Sequence, residues 1–319
     1  MIVFLTTRGH EFGVKTLVDR AFPGLPECRS MTYEDFFLAE KTPQATYIFT
    51  DIDRLAPWET RIAAERYRTL KAAGMRCLNN PARVMGRREL LRKLYRRKFN
   101  PFNVYPADLR PRPQRFPVFV RSETEHRRVE LVLLQDQAAL DSQLLALRRK
   151  GTPLRDLLVV EFTAEPIAPG AWRRVGTFRI GDNLSVDSIA VQDHWRVSDG
   201  TRGLATDEMF QAEYDALASN ALAEAVRPAF DVAEIEYGRA DHATYQGREI
   251  VFEINTNPTI GAIEGQRKPI REESLRLSRG RMAEHLHAID TAATGTLDLS
   301  PSPEMKGLEV VETRTIVRP

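Results

Sequence analysis

YGRADHATYQGREIVFEINTNPTI, residues 237–260, is the stretch whose reading decides the fold. It reads as a β-hairpin: an extended run through Asp241, a turn near Gln246-Gly247, the alternating strand Glu249 to Asn255, and a close at Asn257-Pro258. A turn centred on Gly247 sets Asp241 opposite Glu253 and Arg239 opposite Asn255, so all four polar side chains share one face. Ala240, Ile250, Phe252 and Ile254 take the other face, where a core can receive them. Two carboxylates facing each other at roughly 5 Å repel unless a cation sits between them. Hard oxygen donors suit Mg2+, or Mn2+ in its place, because such an ion keeps waters and completes its shell with substrate phosphates. The plain alternative is a solvated surface hairpin; the complete pattern of R-x-D, a twelve-residue step and E-x-N argues against it.

RADH followed by FEINTNP resembles the metal-binding end of the ATP-grasp fold, which pairs an Asp on one strand with E-x-N on the next. The resemblance implies that Asp241, Glu253 and Asn255 hold the Mg2+ of Mg-ATP and that Arg239 stabilises acyl-phosphate chemistry. Glu236 is a weaker competitor for the Asp role. The likeness runs loosely over residues 80 to 290 and is sharp only in the hairpin.

A chain of 319 residues holds two domains or one large one, and its hydrophobic share of 42% is ordinary for a globular protein with a sizeable core. Apolar runs stay well short of a bilayer span, and MIVFL passes straight into TTRGHEFG, so the expectation is a cytoplasmic protein starting at Met1. Cys28 and Cys77, without C-x-x-C spacing, indicate reduced buried thiols instead of a disulfide or zinc site. A net charge of +2 asks for neither a nucleic-acid nor a membrane partner.

Residues 1–80 alternate strand and helix: Ile2–Thr6, a helix from about Glu11 to Arg20, Tyr47–Thr50, a helix from Trp58 to Ala73, then Met75–Leu78. This predicts a small parallel α/β domain, with the loop Thr7–His10 at the strand end where ligands bind in open α/β sheets. Residues 81–290 would then form a two-lobed ATP-grasp domain, with a small lobe at about 112–162 and a large lobe at about 163–290. The fold class is therefore α/β (α+β), and 291–319 form a tail or a loosely attached strand.

A basic helix is expected over Pro81–Lys98, with eight Lys or Arg in the sixteen residues from Arg83. Without interleaved aromatics these charges read as solvated, not as a nucleic-acid surface. The resemblance implies a phosphate contact from this helix at Arg88, with the register uncertain by one residue at Arg87, and another from Arg121 at the end of the strand Phe116–Arg121. Arginine supplies the charge and donor fork that phosphate oxygens accept. Residues 100–116 carry four prolines and read as an extended connector. The segment SETEHRRVELVLL has no glycine where many ATP-grasp proteins close a glycine-rich loop. Arg127 and Arg128 either replace its amides or the loop has lost that task.

Gln137–Lys150 is an amphipathic helix and Leu157–Phe162 a buried strand; the resemblance implies that Glu161 on this strand is the acid that accepts from the ribose hydroxyls. Residues 171–184 form a second hairpin, and the resemblance implies that one of Arg173, Arg174 and Arg179 meets a phosphate while the other two lie at the surface. A long helix over Thr206–Val226 packs behind the first hairpin. His285 and His287, two apart on a helix, do not make a metal pair.

The resemblance implies an ATP-dependent carboxylate–amine ligase. Its substrate would be a small molecule or peptide bearing a carboxylate, and a homodimer is allowed. A kinase-like phosphotransferase and a nucleotide-binding sensor or adaptor without turnover are the alternatives.

Overall fold

The computed structural model describes residues 1–124, 132–198, 200–292 and 294–299. The first sheet is parallel, in the order β2-β1-β4-β5, from β1 (Ile2–Thr6), β2 (Cys28–Thr32), β4 (Thr46–Phe49) and β5 (Cys77–Leu78). IVFLT is buried at every position because β1 is a central strand covered on both faces. Between the strands lie α1 (Lys15–Val18), α2 (Tyr33–Leu38), the short β3 (Lys41–Pro43) and α3 (Pro57–Ala72).

One expectation changes here. The helix over residues 11–20 is only a 3-10 turn at Glu11–Gly13 followed by α1. The pair β2 and α2 had not been read from the sequence. CRSMT, an edge strand, is buried only at its two ends and shows no apolar run, and α2 is too short for helical periodicity to register. Its Thr32 cap, accepting from the Asp35 amide at 3.1 Å, is the local start signal.

The basic helix α4 covers Arg87–Arg96, not the whole of 81–98, because Asn79 at φ 61° turns the chain before Pro81 and Gly86 caps the helix. A three-stranded antiparallel sheet follows, in the order β6-β8-β7, from β6 (Val104–Pro106), β7 (Val118–Ser122) and β8 (Leu157–Glu161), with α5 (Gln137–Arg149) packed on it. The expected connector thus contributes a strand. Val104 packs into the core, and Pro106 ends β6 at the sheet's edge, where its missing N–H costs no ladder bond.

The antiparallel sheet β10-β9-β11-β12 is built from β9 (Trp172–Ile180), β10 (Asn183–Gln192), β11 (Tyr237–Tyr245) and β12 (Arg248–Asn255). The single long helix expected over 206–226 is two: α6 (Asp207–Ser219) and α7 (Arg227–Ala233). Asn220 breaks it at φ 56°, and Pro228 opens the second helix instead of ending the first.

One sheet face packs Val175, Ala240 and Val251 against α4 and α7. Phe178, Ile180 and Tyr237 lie in one core with Ile2, Phe4 and Ile48 of the parallel sheet and with α8 (Pro269–Ile289). A final strand, β13 (Thr296–Asp298), pairs with β3. Among the described residues no helix is long and apolar enough to cross a membrane.

Candidate functional site

Gln246 at φ 48° and Gly247 at φ 72° make a two-residue turn whose handedness matches the twist of β11 and β12. Arg239 pairs with Asn255 and Asp241 with Glu253, as the alternation predicts. Beyond Asp241 the register shifts by one residue, so His242 faces Val251 and Phe252 is the extra residue of a bulge. The bulge lies next to the two carboxylates.

Arginines from three elements converge on that face. Arg87 of α4 and Arg121 of β7 both donate to Glu253 Oε2, at 2.8 and 2.7 Å. Arg174 of β9 donates to Asp241 Oδ2 at 2.7 Å, and Arg239 Nε donates to Asp241 Oδ1 at 3.0 Å. Asn255 turns its amide oxygen to the Asn257 N–H at 2.9 Å, which fixes the tight loop after β12. Burial lowers the Arg121 pKa, an effect Glu253 opposes and neighbouring Arg87 reinforces. Burial also acts to lower Arg239, but Asp241 and Asp187 outweigh it and hold the guanidinium above its usual range.

The remaining sequence candidates go elsewhere. Arg88 points to Glu123 at 3.2 Å with its side chain 45% exposed, so of the two neighbours on α4 it is Arg87 that reaches the carboxylate pair. Arg87 precedes the buried Leu90, Leu91 and Leu94 by three, four and seven positions, a helical spacing visible in the sequence. Arg173 and Arg179 alternate with Arg174 and lie on the opposite sheet face, where Arg173 donates to Thr244 at 2.9 Å and Arg179 to Asp231 at 2.7 Å. Glu161 is 2% exposed and accepts from the amides of Asn103, Gln114 and Arg115 and from the Tyr105 hydroxyl. Its carboxylate therefore anchors the proline-rich connector. Glu236 accepts from the Asn79 amide at 3.1 Å, away from the carboxylate pair. Arg127 and Arg128 lie outside the described residues.

Two features had not been read from the sequence. Asp187 is buried between Arg279 of α8 and Arg239; burial alone would raise its pKa, but these two guanidiniums hold it below the usual carboxylate range. Leu184 and Val186 followed by Ile189 and Val191 slip the apolar alternation by one, the sequence signal of the bulge that places Asp187. The second feature lies at the end of the parallel sheet. Asp51 accepts from the Thr7 amide and hydroxyl, both at 3.1 Å, and from Asn257 Nδ2 at 2.9 Å. The same Asn257 donates to the His10 carbonyl at 2.9 Å, so the Thr7–His10 loop docks directly beyond Asn255. A Cβ at Gly13 would fall 2.1 Å from the Asn257 amide oxygen, so a larger residue there would push the Asn257 side chain aside.

A divalent cation fits the donor set: two carboxylates in direct register and a neighbouring amide. Among the described residues no group of three or more His, Cys, Asp or Glu could enclose a metal. The donors thus suit an ion that takes the rest of its shell from phosphate and water. Phe119, Phe162, Trp172 and Trp195 form an aromatic wall between the two antiparallel sheets, with Trp195 at 5.1 Å from both phenylalanines. Burial pushes the Cys28 and Cys77 thiols up to about 12, so neither is a nucleophile.

No family model matches the chain, and no curated protein matches it in sequence. Solved structures do. VanG D-Ala:D-Ser ligase from Enterococcus faecalis aligns with a TM-score of 0.51 at 12% identity, over 90% of this chain and 98% of that one. D-alanine–D-alanine ligase from Bacillus anthracis, complexed with ATP, aligns at 0.48 and 12% identity over 90% and 94%. A RimK domain ATP-grasp protein from Sphaerobacter thermophilus aligns at 0.44 and 16% identity over 89% and 98%. The chain has the ATP-grasp fold, and at these identities the likeness is one of fold.

Proposed function

We propose that the chain is an ATP-dependent ligase that activates a carboxylate as its acyl phosphate and condenses it with an amine. The observation that carries this reading is the convergence of Arg87, Arg121, Arg174 and Arg239 on the Asp241–Glu253 pair. Phosphoryl transfer needs little covalent help from a protein; positioning and charge neutralisation do the work, and this cleft is built for both.

Asp241, Glu253 and Asn255 would hold Mg2+, or Mn2+, which neutralises the triphosphate when bound. Arg87, Arg121 and Arg174 turn from the carboxylates to the phosphate oxygens, exchanging one anionic partner for another. The substrate carboxylate attacks the γ-phosphorus and ADP departs. The amine then attacks the acyl carbon, Arg239 stabilises the tetrahedral oxyanion, and phosphate leaves as the amine proton passes to it or to solvent. The partner molecule is a small carboxylic acid or peptide.

Asp241→Asn with Glu253→Gln tests the assignment by titration calorimetry with Mg-ATP. Loss of binding supports it, and unchanged affinity overturns it. For the wild type, release of ADP and phosphate dependent on both a carboxylate and an amine selects the ligase. A stable phosphorylated product selects a kinase-like transfer. The glycine-free stretch 122–134 favours a second reading, a nucleotide sensor, which Mg-ATP binding without ADP release would select.

A further inference from the structure

We infer that Asp187 and Gly176, neither of which meets substrate, fix the Arg239 guanidinium for the chemical step; the inference rests on the ligase reading. In β10 the register with β9 shifts between Val186 and Ser188, so Asp187 is the surplus residue of a bulge, the device by which a strand re-aims one side chain. It is 2% exposed. One carboxylate oxygen is bonded by Arg279, itself 2% exposed. The other accepts from Ser188 Oγ at 3.0 Å and lies 3.7 Å from Arg239 NH1.

To reach it from β11, Arg239 crosses β9 over Gly176, the residue paired with Asp241. A Cβ there would stand 3.0 Å from Arg239 Cδ and 3.5 Å from Asp187 Oδ2. Gly176 has an ordinary backbone φ, so what its missing side chain supplies is space. The arginine is then anchored along its length: Nε on Asp241 at 3.0 Å, NH1 on the Thr259 carbonyl at 3.3 Å, and NH1 beside Asp187. A free arginine side chain carries about 2 kcal/mol of rotamer entropy. Here the fold has already removed that freedom, which is the form preorganisation takes for an oxyanion donor.

A purely structural Asp187–Arg279 pair would affect stability and nothing at Arg239. Removing Asp187 leaves Arg279 buried beside no carboxylate, so Gly176→Ala, which keeps every charge, is the informative variant, with Asp187→Asn as its companion. Each is examined by 15N-arginine NMR of the Arg239 Nε–H, by calorimetry with Mg-ATP, and by ADP release against a panel of carboxylic acids, amino acids and peptides paired with amines. Gly176→Ala is expected to melt cooperatively and bind Mg-ATP as the wild type does. It should show an averaged Arg239 Nε–H signal and lose about 100-fold in kcat at unchanged KM, the scale of a 1 Å misplacement. A restrained Arg239 signal in both variants, or wild-type kcat in both, overturns the inference. A wild type that releases no ADP with any carboxylic acid, amino acid or peptide paired with an amine overturns the ligase reading instead, and the NMR signal alone then decides the positioning of Arg239.

Discussion

Arg87 and Arg88 are neighbours on α4, yet one reaches Glu253 from a buried position and the other meets Glu123 at the surface. Hydrogen bonds to charged groups are worth about 1.5–3 kcal/mol, so Arg87→Ala should weaken Mg-ATP binding by about 10- to 100-fold. Arg88→Ala removes only an exposed pair worth at most about 1 kcal/mol and should leave calorimetric affinity as it is. Equal losses in the two would undo the assignment. Asp51 offers a test by pH. Burial raises its pKa above 3.8 despite the Thr7 amide, Arg54 and Asn257. Its contribution to stability is therefore complete below the unfolded-state pKa and lost as pH rises through the folded one. Asp51→Asn keeps an acceptor for Thr7 and Asn257 and does not ionise, so the variant should gain on the wild type as pH rises above about 4 in urea unfolding. Parallel pH curves would exclude this. At this scale the sequence made Asp241, Glu253, Asn255 and Arg239 legible, because period-two alternation and one turn set their pairing. The bonds that Glu161 makes were not legible, because its backbone donors come from 103, 114 and 115, a loop whose path no local pattern encodes.

Elements were legible where one period persisted. α3, α5, β8 and the 246–247 turn fall where periodicity and glycine place them. The 206–226 stretch failed because composition favours helix throughout while Asn220 does something composition cannot express. Its side chain accepts from the Val186 amide at 2.8 Å and donates to the Leu184 carbonyl at 3.0 Å, replacing a helical continuation with two bonds to β10. Asn220→Ala should cost about 2–3 kcal/mol in chemical denaturation, from both the lost bonds and the left-handed backbone. Asn220→Gly, which relaxes only the backbone, should cost less. Equal stability of Ala and wild type would remove Asn220 from this role. The bulges at Phe252 and Asp187 show the same limit, since each is a one-residue slip that changes which side chains enter the cleft.

Across the molecule, the order of sheet types followed from the order of patterns, but the joints between sheets did not. Asn79, fully buried, donates to the Phe49 and Tyr237 carbonyls and accepts from the Glu236 and Tyr237 amides. One amide thus saturates its bonding capacity while clasping β4 of the parallel sheet to β11 of the antiparallel one. Asn79→Ala leaves four buried backbone groups without this partner and should cost about 3–5 kcal/mol, read as a fall in the urea midpoint. An unchanged midpoint would show that the sheets are joined by apolar packing alone.

The strand Thr296–Asp298 runs beside Lys41–Pro43, and Leu299 fills the interior next to Val3 and Tyr47, its amide bonded to the Glu40 carbonyl at 2.6 Å. During synthesis, the niche that Leu299 seals is made roughly 250 residues before its plug leaves the ribosome. A contact closed over so much intervening chain raises the contact order, and high contact order slows folding.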